Sequence, residues 1–203
     1  MRFVLLCAWV LAGCAASSPS RAPLAEAGEL VALEDVGPAV GDAPPRLRLA
    51  FRGADGALTP VALEAAAFVP RWREGGALVD PERRLYEVAP GGAPRMLAAG
   101  VTALASDGAR LAYVVQRDLE VELRVDDGEG PRTWARGLSS AAMLRVDGAR
   151  VRFVGAVPGG VAGVWWADAD GARCVTNCAL RTGEPWGDAF VPPPEDPSQL
   201  EAP

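Results

Sequence analysis

The stretch SDGARLAYVV at residues 106–115 returns, about 40 residues later, as VDGARVRFVG at residues 146–155. Each copy places Asp-Gly before a run in which apolar residues alternate. Asp-Gly is typical of tight β-hairpin turns, because these need positive φ, which glycine adopts freely and aspartate tolerates. The alternation indicates a strand with one buried face, on which Phe153 lies while Arg152 points away. The repetition predicts that one hairpin is built more than once.

A second kind of hairpin alternates with the first. It reads as strand, glycine-containing turn and strand, in LYEVAPGGAPRMLAAGV (85–101), LRVDDGEGPRTWARGL (123–138) and VWWADADGARCVTNCAL (164–180). Two hairpins per unit make four short strands in about 40 residues, which is typical of a propeller blade. The predicted fold class is therefore all-β: a propeller-like stack of about three to four four-stranded antiparallel blades.

The number of blades leaves two arrangements open. Residues 46–63 are a candidate fourth blade, and closed propellers have about four to eight blades. The body forms either a small ring, completed by an outer strand from the far end of the chain, or an incomplete stack with an open edge. An open edge would favour pairing with another chain.

Composition excludes several classes of function. The chain has 203 residues, a formal net charge of −6 and no histidine. It therefore cannot build a Ser-His-Asp or Cys-His catalytic site, nor a histidine-ligated zinc or iron site. Its positive charges are all arginine and form no basic run in the sequence, so nucleic acid is not an expected partner. We expect no enzymatic activity, no cofactor and no metal.

The first fourteen residues, MRFVLLCAWVLAGC, have the pattern of an export signal. The apolar run is well below the roughly 20 residues that a membrane span needs. LAGC at residues 11–14 resembles the lipobox of bacterial lipoproteins. The resemblance implies a signal peptide of residues 1–13, cleavage between Gly13 and Cys14, and lipid on Cys14. Because alanine rather than aspartate follows, it also implies the outer membrane; an ordinary signal peptide is the alternative.

Composition divides the remaining chain into a tether, a body and a tail. Residues 14–45 are rich in Ala, Pro, Gly, Ser and acidic residues, and are predicted to form the lipidated N-terminus and a flexible tether. Within them LVALEDV at residues 30–36 alternates weakly and is left undecided as a strand. The repeat domain is predicted at residues 46–186. Residues 187–203 are proline-rich and are predicted to be disordered.

The segment PRWREGGALVDPERRLYEVAPGGAPRML at residues 70–97 resembles the WD-like repeats of TolB-type β-propellers. The match rests on Trp72, on Leu85-Tyr86 and on Gly91-Gly92, in the order that the family has them, and extends over residues 68–180. The resemblance implies protein partners at the periplasmic face of the outer membrane. The predicted function is that of a lipid-anchored, non-catalytic interaction or scaffold module of the cell envelope.

Cysteine use predicts one disulfide. Cys7 falls in the signal and Cys14 carries the lipid, which leaves Cys174 and Cys178 as a pair in an exported chain. Four residues of straight strand would hold their Cα atoms roughly 13 Å apart, beyond the roughly 7 Å limit for a bridge. The bond therefore requires residues 175–177 to turn, which the asparagine there permits. Two free thiols are the alternative.

Two acidic turns and one aromatic pair are the other candidate sites. ADADG at residues 167–171 and VDDGEG at residues 125–130 lack the terminal glutamate of a calcium loop, so both are predicted to be solvated turns. Trp165 and Trp166 are adjacent in a predicted strand, so their rings point to opposite faces. One is predicted to lie in the core; the other either packs between blades or contacts a partner.

The alternative function is binding of a small ligand or polysaccharide at the blade loops or in the central channel. It requires an aromatic-lined pocket, for which Trp72, Trp134 and Trp186 are available. Arg83-Arg84 is predicted to be a solvated loop rather than a site. An enzyme is the least favoured class, because carboxylates would have to converge at a funnel mouth without a histidine.

Overall fold

A computed structural model describes residues 28–35 and 45–176. The secondary-structure elements of these residues are all β-strands. The strands are β1 (Glu29–Asp35), β2 (Leu47–Arg52), β3 (Leu58–Ala65), β4 (Ala67–Trp72), β5 (Gly75–Val79), β6 (Arg84–Val88), β7 (Arg95–Ala99), β8 (Val101–Ser106), β9 (Leu111–Arg117), β10 (Glu120–Asp126), β11 (Pro131–Leu138), β12 (Ser140–Asp147), β13 (Arg150–Ala156), β14 (Gly163–Asp168) and β15 (Gly171–Thr176). They form four antiparallel sheets in chain order, which we number 1 to 4: β1–β3, β4–β7, β8–β11 and β12–β15. The all-β, propeller-like fold class is confirmed.

The repeated Asp-Gly pairs lie at hairpin turns, as predicted. Asp107-Gly108 lies between β8 and β9, while Asp147 ends β12 and Gly148 follows it in the turn to β13. The two glycines have φ values of 91° and 55°, which few other residues adopt without strain. The Asp107 carboxylate also accepts hydrogen bonds from the next two backbone N–H groups beyond the glycine, at 2.9 and 2.7 Å. Local chemistry therefore determines these turns.

Successive sheets are linked by single residues. Ala66 links sheet 1 to sheet 2, Gly100 links sheet 2 to sheet 3, and Ser139 links sheet 3 to sheet 4. Gly100 has φ of 74°, and a Cβ there would lie 2.6 Å from the carbonyl oxygen of Gln116. A larger residue would clash with that backbone oxygen. These short links keep consecutive sheets adjacent, so the sheets stack in chain order.

Apolar cores lie between consecutive sheets. Leu30 belongs to the core between sheets 1 and 2, while Phe153 and Trp165 belong to the core between sheets 3 and 4. The central strand β9 contributes to two cores, because Tyr113 faces sheet 2 and Val114 faces sheet 4. Both faces of sheet 3 are thus covered, which explains why β9 reads as a continuous apolar run.

The alternation predicted for the repeated stretch at residues 146–155 is confirmed in β13. Val151 and Phe153 are 0% and 1% exposed, whereas Arg150 and Arg152 are exposed. Side chains alternate between the two faces along a strand, so the first pair lies against sheet 3 and the second pair lies on the opposite face. Sheet 4 therefore has one face in the core and one face turned away from sheet 3, which we call its far face.

Sheet 1 departs from the prediction of four-stranded blades. Its described strands number three, and the first of them, β1, contains most of the LVALEDV segment that the sequence left undecided. β1 pairs with β2, and its Leu30 is 1% exposed. The predicted tether of residues 14–45 therefore contains a strand of the fold, because Leu30 is buried against sheet 2.

The sheets pack as an open series. Strand β1 packs against β4 and β5, β4 against β8, and β8, β9 and β10 against β12, while β11 packs against β14 and β15. Among the described strands, no contact of comparable extent joins sheet 1 to sheet 4. The described part of the chain is thus an incomplete, propeller-like stack, and the far face of sheet 4 has no described sheet against it.

Candidate interaction surface

Strand β14 places Trp165 and Trp166 on opposite faces of sheet 4. Trp165 is 1% exposed, and its ring stacks on Phe153 with a centroid distance of 6.0 Å and an interplanar angle of 15°. Its indole N–H donates a hydrogen bond to the carbonyl oxygen of Gly155 at 2.9 Å. Trp165 is therefore a core residue, and its ring does not present a surface to a partner.

Trp166 lies on the far face of sheet 4 and is half-buried. The guanidinium of Arg152 lies 6.0 Å from the centroid of its ring, within the range of a cation–π contact. Val154 and Val164 pair directly across β13 and β14 and are half-buried on the same face. The far face is therefore aromatic, aliphatic and basic, and it is the candidate interaction surface.

A polar cluster joins sheet 2 to sheet 3. Arg73, between β4 and β5, has φ of 54°, and its guanidinium donates to Asp126 at 2.9 Å and to Glu87 at 3.4 Å. Asp126 ends β10 and is 4% exposed. Arg95 also donates to Glu87, at 2.8 Å. The turn at residues 125–130 was predicted to be solvated, yet its first carboxylate is buried because a residue of another sheet pairs with it.

A second buried carboxylate lies at the opposite end of sheet 2. Asp80 is 3% exposed and accepts hydrogen bonds from the backbone N–H of Arg84 at 2.8 Å and from its Nε at 2.6 Å. The side-chain hydrogen bond that Arg84 donates to Asp80 raises the pKa of Arg84. Arg83 is exposed, and its carbonyl oxygen accepts from the N–H of Val101 at the start of sheet 3. Arg83-Arg84 therefore joins two sheets rather than forming only a solvated loop.

Among the described residues, two cavities lie beside the junctions between sheets. The larger, about 430 Å³, is lined mainly by apolar residues, with Asp80 and Arg83 as its charged members. The Asp80 carboxylate is already bonded to Arg84, so it is not a ready ligand for a guest molecule. The smaller, about 200 Å³, is lined by apolar and glycine residues of sheets 1 and 2, together with Thr59. Within the described ranges no group of three His, Cys, Asp or Glu residues could hold a metal ion.

The described tryptophans do not form the aromatic pocket that the ligand-binding alternative requires. Trp72 is 0% exposed in the core between sheets 2 and 3, and Trp134 is 8% exposed in the core between sheets 3 and 4. Trp186 lies outside the described residues. Rings buried in two different cores cannot stack together on one ligand, so the alternative loses two of its three predicted contacts.

The predicted cysteine sites fall largely outside the described residues. Cys174 is 1% exposed on the core face of β15. Cys178, Gly13 and Cys14 lie outside the described ranges. The disulfide, the cleavage site and the lipid attachment therefore stay predictions.

Tyr113 is expected to make the free energy of unfolding sensitive to alkaline pH. Burial raises the pKa of its phenol and the nearby charge of Asp126 adds to the rise, while Arg124 opposes it. Because the folded state holds this proton more tightly than the unfolded chain, its contribution is complete below about pH 10 and is lost as the pH rises through the raised value. We expect the free energy of unfolding to fall above about pH 10, and to fall less in Tyr113→Phe.

The measurement is denaturant unfolding at a series of pH values from 8 upwards for both proteins. All positive side chains are arginine, so no lysine deprotonates in this range and obscures the effect. Identical pH dependence in the two proteins would show that this tyrosine is not responsible.

Comparison with known proteins finds likeness in structure and none in sequence. No family model matches the sequence, and no curated protein matches it. Among solved structures, the fold is similar to that of TolB from Acinetobacter baumannii, with a TM-score of 0.43 and 16% sequence identity. The match covers 75% of this chain and 42% of that chain, so this chain spans less than half of the TolB length. Within the described residues, no helix is long and apolar enough to cross a membrane.

Proposed function

We propose that the chain is a lipid-anchored protein of the cell envelope that acts as a non-catalytic protein-interaction module. The observation that carries the proposal is the far face of sheet 4, where Trp166 lies beside Val154 and Val164 with Arg152 over its ring. Tryptophan and arginine are enriched in protein interfaces and dominate their binding energy. No described sheet packs against this face.

The buried carboxylates support interaction rather than catalysis. Asp80 is bonded to Arg84 and Asp126 is bonded to Arg73, so each stabilises the junction of two strands or sheets. A general acid or base must reach a substrate, and these two groups are directed at arginines instead. The absence of histidine from the sequence removes the commonest residue for proton transfer near neutral pH.

The N-terminal sequence supports the location. Residues 1–13 would be removed, and lipid on Cys14 would hold the chain at the outer membrane. A single acyl chain binds membranes only marginally, whereas several chains give stable anchoring. The residues between Cys14 and β1 would then separate the fold from the membrane surface. In the oxidising envelope Cys174 would pair with Cys178.

Cys14→Ser tests the anchor. The variant is expected to lose metabolic labelling with a fatty acid and to move from the membrane fraction to the soluble fraction, because serine has no thiol to acylate. Cys7→Ser is the matched control and should leave both properties unchanged, since residue 7 lies before the cleavage site. Continued labelling and membrane association of Cys14→Ser would contradict the lipoprotein assignment.

Affinity capture tests the interaction function. The mature chain, without residues 1–13, is immobilised and exposed to envelope extract, and retained proteins are identified by mass spectrometry. We expect Trp166→Ser to lose the retained partner and Leu119→Ser to keep it. Leu119 is 93% exposed between β9 and β10, so its substitution removes an exposed apolar side chain elsewhere. Retention of polysaccharide instead of protein would favour the alternative function.

A further inference from the structure

The far face of sheet 4 carries a row of four side chains in cross-strand register. Arg145 pairs with Arg152, Arg152 pairs with Trp166, and Trp166 pairs with Arg173. Directly opposite residues of antiparallel strands share a face. Three arginines and one tryptophan therefore form a continuous line across all four strands of the sheet.

The arginines of this row are not neutralised by the described fold. Arg145, Arg152 and Arg173 form no ion pair with a carboxylate among the described side chains of residues 28–33 and 45–176. Beside the row, the Arg150 guanidinium lies 4.0 Å from the Asp168 carboxylate. Like charges directly opposite each other are destabilising. An uncompensated basic row in a chain of net charge −6 points to an anionic occupant.

An apolar row runs alongside the basic row. Ala142 pairs with Val154, and Val154 pairs with Val164. Ala142 is exposed and the two valines are half-buried. The face therefore suits an occupant that combines carboxylates with apolar or aromatic side chains, rather than a free anion.

Residues 182–203 of this chain have that chemistry. The segment contains no lysine or arginine, and its acidic residues are Glu184, Asp188, Glu195, Asp196 and Glu201. It also contains Trp186 and Phe190. Its charge is thus opposite to that of the arginine row, and its aromatic rings match the apolar row.

The segment follows sheet 4 closely in the chain. Strand β15 of sheet 4 ends at Thr176, five residues before Arg181. Three strand spacings give a sheet width of roughly 14 Å, which about five extended residues can span. Covalent attachment also keeps the effective concentration of the segment in the millimolar range.

We propose that residues 182–203 bind across the far face of sheet 4, with carboxylates against the arginine row and aromatic rings against the apolar row. The segment then occupies the surface that the interaction function would use, and a protein partner must displace it. This orders part of residues 187–203, which composition alone predicts to be disordered. The proposal does not depend on membrane anchoring or on a partner.

Hydrogen exchange of the purified full chain, followed by mass spectrometry, tests this docking. We expect amides in residues 184–191 to exchange at least about tenfold more slowly than in an isolated peptide of the same sequence. The triple variant Arg145→Glu, Arg152→Glu, Arg173→Glu should return them to the peptide rate. It should leave protection of β9 unchanged, which shows that the stack remains folded.

A matched charge control separates local docking from net charge. The triple variant Arg52→Glu, Arg117→Glu, Arg136→Glu makes the same change in charge at exposed positions outside the row and should keep residues 184–191 protected. Adding Glu184→Arg and Asp188→Arg to the row variant should restore protection. The row is then acidic and the segment carries the arginines, so the attraction between them returns.

Three results would overturn the proposal. Peptide-like exchange of residues 184–191 in the unmodified chain would show that the segment does not dock. Protection that persists in the row variant would place the segment elsewhere. Protection that appears only with concentration, together with a dimer in sedimentation, would mean that the segment docks on a second copy. Hydrogen exchange is measured on the purified chain without envelope extract. Failure of the docking proposal can therefore be distinguished from failure of the proposed interaction function.

Discussion

Phe153→Ala is expected to lower the free energy of unfolding by about 3–5 kcal/mol, the usual cost of removing a buried phenylalanine. Phe153 is 1% exposed, lies in the core between sheets 3 and 4 and stacks on Trp165. Its loss leaves a cavity beside the ring of Trp165, whose indole N–H is bonded to the carbonyl oxygen of Gly155. The measurement is the free energy of unfolding from urea titration.

Arg152→Ala is the matched control, one residue away on the same strand. Arg152 is exposed on the far face, and its substitution removes its contact with Trp166 and one of the three arginine contacts proposed for residues 182–203, so the substitution is expected to cost at most about 1 kcal/mol. Equal losses in the two variants would mean that β13 is not registered as described. A one-residue slip would exchange the faces of both side chains.

Arg73→Ala is expected to cost about 3 kcal/mol, the low end for removing one partner of a buried ion pair. The substitution leaves the carboxylate of Asp126, whose side chain is 6% exposed, without its cation. The low end applies because Arg73 is itself 30% exposed. Its φ of 54° is similarly unfavourable for alanine, so the backbone contributes little to the difference.

A double-mutant cycle isolates the ion pair from packing. Arg73 also lies over the ring of Trp72, 4.3 Å from its centroid, and loses that contact in any truncation. Combining Arg73→Ala with Asp126→Asn should therefore cost clearly less than the sum of the single changes. Arg132→Ala, which removes an exposed pair with Glu129, should cost at most about 1 kcal/mol. Strict additivity in the cycle would contradict a direct Arg73–Asp126 interaction.

The turns and the strand faces could be predicted because they depend on neighbours in the chain. Asp107-Gly108 forms its turn through glycine's φ of 91° and the aspartate's bonds to the next N–H groups. The alternation of Phe153 and Arg152 follows from the two-residue period of a strand. Strand β1 was harder to predict, because its sequence alternates only weakly. It is a strand because β2 pairs with it and sheet 2 covers its Leu30.

The burial of Asp80 and Asp126 could not be predicted from the acidic turns themselves. Each aspartate follows or ends a strand, as solvated turn aspartates also do. Asp126 is buried because sheet 2 packs against sheet 3 and supplies Arg73. No spacing in the sequence relates residues 73 and 126, since the pairing depends on how two sheets stack.

By itself, the sequence determined the class of fold, the repeated hairpins and the opposite faces of Phe153 and Arg152, because turn preference and side-chain alternation act over a few residues. Only the tertiary structure decided which arginines meet a carboxylate and which line up beside Trp166. The row of Arg145, Arg152 and Arg173 depends on pairing register, which includes an irregularity between Ala142 and Arg145. Register and stacking are collective properties of strands that are distant in the chain, so the electrostatic surroundings of a side chain appear only when the sheets assemble.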